Sequence, residues 1–223
     1  MRTWTNYDPA AWTTRPGWLT FAQNRDVQFQ PTLGCNITGI PQTFLCKIRC
    51  NAFTANPSMW NVANNANTNI GMYFYIQTNG KINFSWFNSN YSQSLYRLTS
   101  TVLAINTDYS IALTLNGSGL YSDIHIYIDG IEAAYESGNN NAISNLQTMG
   151  GPWRLTEQYA NWLNGSYQYA AWFNRILSQQ EIIEWHTNPF GAFVEPAWTE
   201  FPTNILSQSS MAVIYHLAQM SAA

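Results

Sequence analysis

The chain has 223 residues, of which only 9% are charged and 15% are aromatic, and its formal net charge is −3. Hydrophobic residues make up 46% of the chain, and together with the small net charge this excludes a disordered chain. The chain has only nine basic residues, which excludes a nucleic-acid binder that works by neutralising phosphates. The most apolar stretch, Ile124–Ile128, is far shorter than the ~20 residues of a membrane-spanning helix. Membrane insertion is therefore not expected, and the length suits one large β domain.

The first strong strand signal is a hairpin in the first half of the chain. Met72–Ile76 and Lys81–Phe87 alternate apolar and polar residues and flank Gln77–Gly80, which ends in Asn-Gly. Asn-Gly between two such runs predicts a β-hairpin, because a type I′ turn needs two residues with positive φ. One face of each strand is therefore expected to lie in a core.

A second strand pair and a late aromatic strand continue the β pattern. Ser110–Leu115 and Asp123–Ile128 alternate in the same way around the loop Asn116–Gly119, and Asp129-Gly130 marks another tight turn. Tyr167–Phe173 is predicted as a late strand rich in aromatic residues. Turn signals this frequent favour an all-β antiparallel sandwich over a parallel α/β sheet.

One short helix is marked by its cap. Ser178 and Glu181 form a capping box ahead of an apolar run that Asn188-Pro189 ends, which predicts a helix near residues 178–187. Further on, Ser209-Ser210 precede an amphipathic stretch that predicts a second short helix over residues 210–220. We therefore divide the chain into an N-terminal arm (1–16), one sandwich domain (17–190) and a C-terminal extension (191–223), and we expect both arms to fold against a neighbour.

The cysteines do not form a disulfide framework. Phe44, Cys46, Ile48 and Cys50 share one face of a strand by period 2. The two thiols would lie ~13 Å apart along the strand, about twice the span of a disulfide. We interpret them as core thiols, with the intervening basic residues facing water, rather than as a metal or redox site.

Several motifs of the second half occur in the order found in one known family. Four segments carry them, followed by a fifth at the end of the domain: Ile126–Gly130 (Y-x-D-G), Leu146–Gly151 (L-x-I-G), Leu163–Phe173 (F-x-G-x-I-D-E-V), Asn174–Ile182 (N-R-A-L-S-x-x-E-I) and Trp185–Phe193 (N-P-W-x-x-F). In this order they resemble the concanavalin A-like (laminin G-like) jelly rolls, and the ending resembles members encoded by bacteriophages. The resemblance implies an antiparallel β-sandwich jelly roll with one short helix and terminal extensions.

The comparison with this family does not indicate a metal site. The family's acidic I-D-E-V becomes Tyr167-Gln168-Tyr169-Ala170 in this chain, so a carboxylate often present near the last strand is missing. Calcium takes carboxylate and carbonyl oxygens, and the remaining acidic candidates, Asp26 and Asp123, belong to no motif. The histidines His125, His186 and His216 have no other ligand at zinc spacing. We expect no metal or cofactor, with calcium as the minor alternative.

Hydrolysis by paired carboxylates is not expected either. Related glucanases place their acids at alternating positions of one strand, and a glycosidase needs such a pair ~5–10 Å apart. Here the acidic clusters are Asp129/Glu132/Glu136 and Glu181/Glu184, and neither lies at alternating positions of a strand. Asp129 suits a turn and Glu181 a cap, so the chain is predicted to be non-enzymatic.

The aromatic residues supply the remaining functional signal. Sugar sites stack rings on Trp or Tyr and bond hydroxyls with amides. Predicted loops carry this combination, which gives a candidate glycan-binding set: Trp60, Asn61, Trp153, Arg154, Tyr159 and Trp162. The alternative for each tryptophan is a place in the core or in a subunit interface.

These observations converge on a structural protein of a bacteriophage particle. The residues that begin the chain carry no apolar signal region, so assembly in the host cytoplasm and incorporation into the virion are expected. We predict a capsid-decoration or tail-fibre component whose partners are other virion proteins, with a homo-oligomer or a host or environmental polysaccharide as further partners. The alternatives are a stand-alone carbohydrate-binding lectin domain and, after it, a glycan hydrolase.

Overall fold

A computed structural model describes residues 18–21, 27–29, 41–63, 71–87, 94–138, 153–155, 163–189 and 214–216. The strands within these ranges are β1 (Leu19–Phe21), β2 (Val27–Phe29), β3 (Gln42–Cys50), β4 (Ser58–Ala63), β5 (Gly71–Ile76), β6 (Lys81–Phe87), β7 (Ser94–Val102), β8 (Asp108–Leu115), β9 (Ile124–Ile128), β10 (Ile131–Glu132), β11 (Tyr135–Gly138), β12 (Trp153–Leu155), β13 (Gly165–Phe173) and β14 (Ile214–His216). A 3₁₀ turn (Tyr121–Asp123) precedes β9, and helix α1 (Gln179–Thr187) follows β13.

The strands form two antiparallel seven-stranded sheets. Sheet A has the order β1-β13-β3-β8-β9-β10, with β14 also paired to β13. Sheet B has the order β11-β7-β6-β5-β4-β12-β2. The predicted all-β sandwich with one short helix is therefore confirmed. No helix of the described ranges is long and apolar enough to cross a membrane.

Large aromatic side chains join the two sheets at the centre of the core. The Trp60 ring of sheet B lies 4.5 Å from the Trp172 ring and 5.8 Å from the Phe44 ring, both of sheet A. Phe44 also meets the edge of Phe74 at 6.2 Å. Such pairs contribute about 0.5–1.5 kcal/mol each beyond the burial of their area.

The predicted core thiols occupy this same interior. Cys46 and Cys50 are free, buried cysteines of β3, and burial raises the pKa of Cys50 to about 12. Between them Lys47 and Arg49 are only half-buried, and Arg49 pairs with Asp108 at 3.2 Å. The interpretation as core thiols is confirmed.

The predicted β5–β6 hairpin and the predicted tight turn at Asp129-Gly130 both form, but their geometries differ. The turn Asp129-Gly130 has positive φ at both residues (51° and 82°), as the type I′ geometry requires. In the β5–β6 hairpin only Gly80 has positive φ (82°). Gly80 N–H bonds to the Gln77 carbonyl and Gln77 N–H to the Lys81 carbonyl. This is a three-residue loop closed by a left-handed glycine, so the type I′ prediction is wrong there.

The predicted capping box of α1 is confirmed. The Glu181 amide donates to Ser178 Oγ at 3.3 Å, and the Ser178 amide donates to the Glu181 carboxylate at 2.8 Å. Arg175 also donates to that carboxylate at 2.6 Å and 3.1 Å. The Arg175 bond, followed by those from Ser178, lowers the pKa of Glu181 from 4.5 to about 2.

The C-terminal extension corrects one prediction. Residues 214–216 form strand β14 and pair with Tyr169–Ala171 of β13, so the predicted helix over residues 210–220 is wrong at these positions. The β-branched and aromatic residues Ile214 and Tyr215 suit a strand, and β13 supplies the backbone bonds that a ten-residue helix in isolation lacks. This part of the extension therefore lies on the chain's own sheet; residues 1–16 lie outside the described ranges.

Strands β1 and β14 share one edge of β13. The opposite edge is occupied by β3 along its whole length, while β1 pairs with Gly165–Tyr167 and β14 with the residues just beyond. Both short strands run antiparallel to β13, and together they cover an edge that would otherwise expose backbone groups.

Deletion of residues 211–223 should destabilise this edge. Since β14 is a three-residue ladder, losing it should lower the free energy of unfolding by about 1–3 kcal/mol. Hydrogen exchange should rise in peptides that cover residues 165–173 and stay unchanged in β5 and β6. Unchanged exchange over β13 would contradict the assignment of β14.

Acid should weaken the helix start through Glu181. Its folded pKa of about 2 lies below the ordinary 4.5, so its stabilisation is complete above about pH 4.5 and is lost as the pH falls toward 2. Glu181→Gln keeps a capping-box side chain but cannot ionise, so chemical denaturation between pH 5 and pH 2 should show a shallower decline in stability. Glu184→Gln, on the same helix outside the box, is the control; equal slopes for wild type and Glu181→Gln would refute this account.

Candidate functional site

The two sheets differ in what covers their outer faces. On sheet A, Leu177, Ile182 and Trp185 from α1 and its entry pack over β3, β8, β9 and β13. The Trp185 ring lies 5.6 Å from Phe173 and 6.0 Å from Tyr169. This helix is the only α-helix of the described ranges, so no α-helix of that part of the chain covers the outer face of sheet B.

The register of sheet B places a row of polar and aromatic residues across its outer face. Five neighbouring strands each contribute one residue, in the order Arg154 (β12), Asn61 (β4), Tyr73 (β5), Ser85 (β6) and Tyr96 (β7). Each alternates along its strand with core residues, so the row points away from the core. At the usual strand spacing the row spans ~19 Å.

A second row runs beside the first. Tyr75, Asn83 and Leu98 are aligned on β5, β6 and β7, and Phe87 lies at the far end of β6. Together the two rows define the outer face of sheet B as the term is used below. Its side chains are aromatic, amide, hydroxyl and guanidinium groups, with one leucine.

Burial divides this face into a floor and an accessible layer. Asn61, Tyr73, Asn83 and Ser85 are at most 5% exposed. Half-buried residues complete the face: Tyr75, Phe87, Tyr96, Leu98 and Arg154. Each of these residues is therefore partly exposed to solvent, next to a floor of buried polar groups.

Hydrogen bonds hold the floor side chains, both to one another and to neighbouring residues. Ser85 Oγ donates to Asn83 Oδ1 at 2.6 Å, and Asn61 Nδ2 donates to Ser58 Oγ at 3.4 Å. Burial raises the pKa of Tyr75, and hydrogen bonds with Ser85 and Gln77 oppose that rise. Buried polar groups need such partners, because an unmade bond costs about 1–3 kcal/mol.

A glycine sets the position of one ring. A Cβ added at Gly71 would lie 2.5 Å from the Tyr73 hydroxyl and 2.7 Å from the ring carbon that bears it. The Tyr73 ring therefore lies back along β5 over Gly71, and it approaches Phe87 with 5.8 Å between ring centroids. Gly71 has no positive φ, so the requirement here is space and not backbone conformation.

Two of the predicted glycan-binding residues belong to this face. Asn61 and Arg154 are directly opposite each other on β4 and β12, although both were expected in loops. Arg154 is half-buried, whereas Asn61 is 2% exposed and belongs to the floor. The structure thus brings together two residues that are 93 positions apart in sequence.

The prediction for Trp60 is wrong. Trp60 lies in strand β4 and not in a loop, is 1% exposed, and packs between Phe44 and Trp172 in the core. A ring that is buried on the core side of sheet B cannot stack on a ligand at the surface. Trp153 also lies in a strand, β12, with its side chain outside the described part, and Tyr159 and Trp162 lie outside the described residues.

Most of the face was missed by the sequence reasoning. The sequence analysis did not predict Tyr73, Tyr75, Asn83, Ser85 and Tyr96, because it predicted a glycan site on tryptophans in loops. The signal was present in the two hairpin strands, where the residues between the core positions are tyrosine, asparagine and serine rather than charged residues. What the sequence does not carry is the register that aligns β5, β6 and β7.

Acidic residues and a histidine of the described ranges have structural contacts outside the two rows. His125 Nδ1 lies 2.7 Å from the Glu132 carboxylate, which also accepts from the Tyr135 hydroxyl at 3.0 Å. Asp123 accepts from Ser118 at 2.6 Å, and Glu136 pairs with Lys81. The described ranges contain no group of three His, Cys, Asp or Glu residues that could hold a metal; Asp26 lies outside those ranges.

Comparison with known proteins agrees on the fold. The family model described as "Concanavalin A-like lectin/glucanases superfamily" matches residues 41–183. A search of curated protein sequences finds no match. Among solved structures, the chain is similar to the CBM40 of the Ruminococcus gnavus IT-sialidase, with a TM-score of 0.58, 12% identity, and coverage of 74% of this chain and 94% of that chain.

Two further solved structures share the architecture. The same CBM40 bound to α2,3-sialyllactose has a TM-score of 0.53 and 12% identity, covering 76% of this chain and 98% of that chain. The binding domain of botulinum neurotoxin serotype G has a TM-score of 0.55 and 14% identity, covering 78% of this chain and 42% of that chain. At such identities the likeness concerns the fold alone.

Proposed function

The chain belongs to the concanavalin A-like lectin/glucanase superfamily, and we propose that it is a carbohydrate-binding domain whose ligand lies on the outer face of sheet B. The observation that carries the proposal is the combination on this face of half-buried Tyr75, Phe87 and Tyr96 with a hydrogen-bonded polar floor. Aromatic rings cover the apolar faces of sugar rings, and amides and hydroxyls bond their hydroxyl groups.

The shape of the face supports an oligosaccharide over a single sugar. The row from Arg154 to Tyr96 crosses five strands, or ~19 Å, which is longer than one sugar ring. The fold also serves glycan recognition elsewhere, since one structure with this architecture holds α2,3-sialyllactose. The proposed ligand is therefore a chain of several sugars that lies across the strands.

No catalytic step is assigned to this face. The two rows that define this face include no carboxylate, and glycoside hydrolysis through two carboxylates requires such a pair. The clustered acids have other contacts: Glu132 with His125, Glu136 with Lys81, and Glu181 with Arg175. Binding without turnover is the activity we propose.

The proposal predicts binding on an array of defined oligosaccharides that includes neutral gluco-, manno- and galacto-oligosaccharides and α2,3-sialyllactose. Tyr96→Ala should weaken the strongest array hit at least tenfold, because it removes one of the half-buried aromatic rings of the face. Tyr121→Ala, which removes a half-buried tyrosine outside sheet B, should leave binding unchanged. Isothermal titration calorimetry measures both, and an array without any hit would refute the proposed function.

A glycine pair gives a sharper comparison. Gly71→Ala should displace the Tyr73 ring and weaken binding several-fold, because the new Cβ occupies the space of the far end of that side chain. Gly138→Ala is the matched control: its Cβ would meet the Tyr121 ring at 2.3 Å, away from the outer face of sheet B. Equal losses of affinity for the two variants would show that the Tyr73 position does not matter to the ligand.

Our second proposal is a place in a bacteriophage particle. There the chain would be a capsid-decoration or tail-fibre component that is assembled in the host cytoplasm. It is supported by a surface with few charges and by apolar side chains that are strongly exposed, Ile131 at 70%, Val102 at 56% and Ile105 at 51%. Such side chains suit lasting contact with virion subunits or with a second copy of the chain. Mass spectrometry of purified particles should detect the protein, and its absence from them would contradict this role.

A further inference from the structure

We propose that Asn116-Gly117, in the loop between β8 and β9, is a site of spontaneous modification, at which the Gly117 backbone nitrogen attacks the Asn116 side chain and converts its amide into a carboxylate. The sequence has three Asn-Gly pairs, Asn79-Gly80, Asn116-Gly117 and Asn164-Gly165. Glycine offers no side chain to hinder the attack in any of them, so the fold decides which pair reacts. The site lies outside the two rows on sheet B and does not depend on the proposed carbohydrate-binding function.

The Asn116 side chain is folded in the direction that the reaction requires. Its Oδ1 accepts a hydrogen bond from the Ser118 amide at 2.8 Å, which closes an Asx turn. This bond turns the carboxamide toward the chain that follows Asn116, where the Gly117 nitrogen lies. Negative charge develops on Oδ1 when the carboxamide carbon is attacked, and the Ser118 N–H already donates to that oxygen.

Asn79 has the same turn and therefore isolates the role of the glycine nitrogen. Asn79 Oδ1 accepts from the Lys81 amide at 3.1 Å. The Gly80 N–H, however, donates to the Gln77 carbonyl at 2.8 Å, and the Gly80 carbonyl accepts from the Leu103 amide at 2.8 Å. The attacking nitrogen must first lose its proton, so at Gly80 a backbone hydrogen bond has to break before the reaction can begin.

The Gly117 nitrogen lacks this protection. Within the described ranges, the Gly117 N–H donates no hydrogen bond to another residue. Asn116 and Gly117 are half-buried, and Ser118 is exposed, so the pair is partly exposed to solvent. The two turns thus share an activated carboxamide and differ in whether the nitrogen is held.

The third pair is held by the sandwich itself. Gly165 begins β13 and is paired with Phe21 of β1 and with Cys50 of β3. The Asn164 carbonyl accepts from the Asn51 amide at 2.8 Å, and Asn164 Oδ1 accepts from Asn51 Nδ2 at 3.3 Å. Closing a ring through the Gly165 nitrogen would pull this backbone out of its ladders, so Asn164 is expected to be protected.

The reaction balances with water as the only other reactant. Hydroxide takes the Gly117 N–H proton, the nitrogen forms a bond to Asn116 Cγ, the bond from Cγ to Nδ2 breaks, and ammonia leaves with a proton from water. The product is a cyclic succinimide. Water then opens the ring at either carbonyl and gives aspartate or isoaspartate, which adds one negative charge to a chain whose formal net charge is −3.

The new carboxylate would lie beside an existing one. Ser118 bonds both groups, because its amide donates to Asn116 Oδ1 at 2.8 Å and its Oγ donates to the Asp123 carboxylate at 2.6 Å. Two carboxylates that share one serine repel each other. We therefore expect the modification to loosen the loop between β8 and β9.

Peptide mapping of the aged full chain by mass spectrometry measures the conversion at each pair, because trypsin places the three pairs on separate peptides. In the folded protein Asn116 should react about tenfold faster than Asn79, the equivalent of one backbone hydrogen bond, and also faster than Asn164. In the chain unfolded by urea, the three rates should become similar. An isoaspartyl methyltransferase should label position 116, because ring opening of the succinimide gives isoaspartate.

Two variants complete the test. Asn116→Gln should remove the methyltransferase label at that position, because a glutamine would have to close a larger and less favourable ring. Asn79→Gln, the same change in the matched turn, should leave the label unchanged. Equal rates at Asn116 and Asn79 in the folded protein, or a faster rate at Asn116 that persists in urea, would overturn the proposal, as would deamidation at position 116 without isoaspartate.

Discussion

The contact between Trp60, Trp172 and Phe44 is the interaction on which the sandwich depends. These rings belong to three strands on two sheets and lie within 6 Å of one another. With 9% charged residues in the whole chain, hydrophobic burial must supply most of the stability, and large rings bury the most area per residue. The abundance of aromatic residues is thus explained in part by the core, before any ligand is considered.

That packing also decides what each outer face can do. Because β3 and β13 turn Phe44 and Trp172 inward, their alternate residues Leu45, Ala171 and Phe173 face outward, where α1 covers them. In sheet B, Trp60 and Phe74 point into the core in the same way. The residues that alternate with these core positions, among them Tyr73, Ser85 and Tyr96, form the outer face. One sheet thus uses its outer face for a second small core, and the other carries polar and aromatic groups suited to binding.

The sequence predicted the elements better than the site, for a physical reason. Alternation and turn residues are local, so the β5–β6 hairpin, the Asp129-Gly130 turn and the capping box of α1 could all be found. That Trp60 faces the core follows from the same alternation, since Val62 lies on the same side of β4. It was missed because Trp60 was assigned to a loop. β14 was missed because Ile214–His216 acquires its partner only through the fold, and the alignment of Tyr73, Ser85 and Tyr96 depends on register between strands.

The central claim is that an oligosaccharide binds to the outer face of sheet B. Titration of the strongest array oligosaccharide into ¹³C-tyrosine-labelled protein tests this most directly, because tyrosines lie on both outer faces. The account predicts saturable shifts of the Tyr75 and Tyr96 resonances, while Tyr127 and Tyr169 beneath α1 stay unmoved. Shifts confined to Tyr127 and Tyr169, with Tyr75 and Tyr96 unchanged, would contradict it.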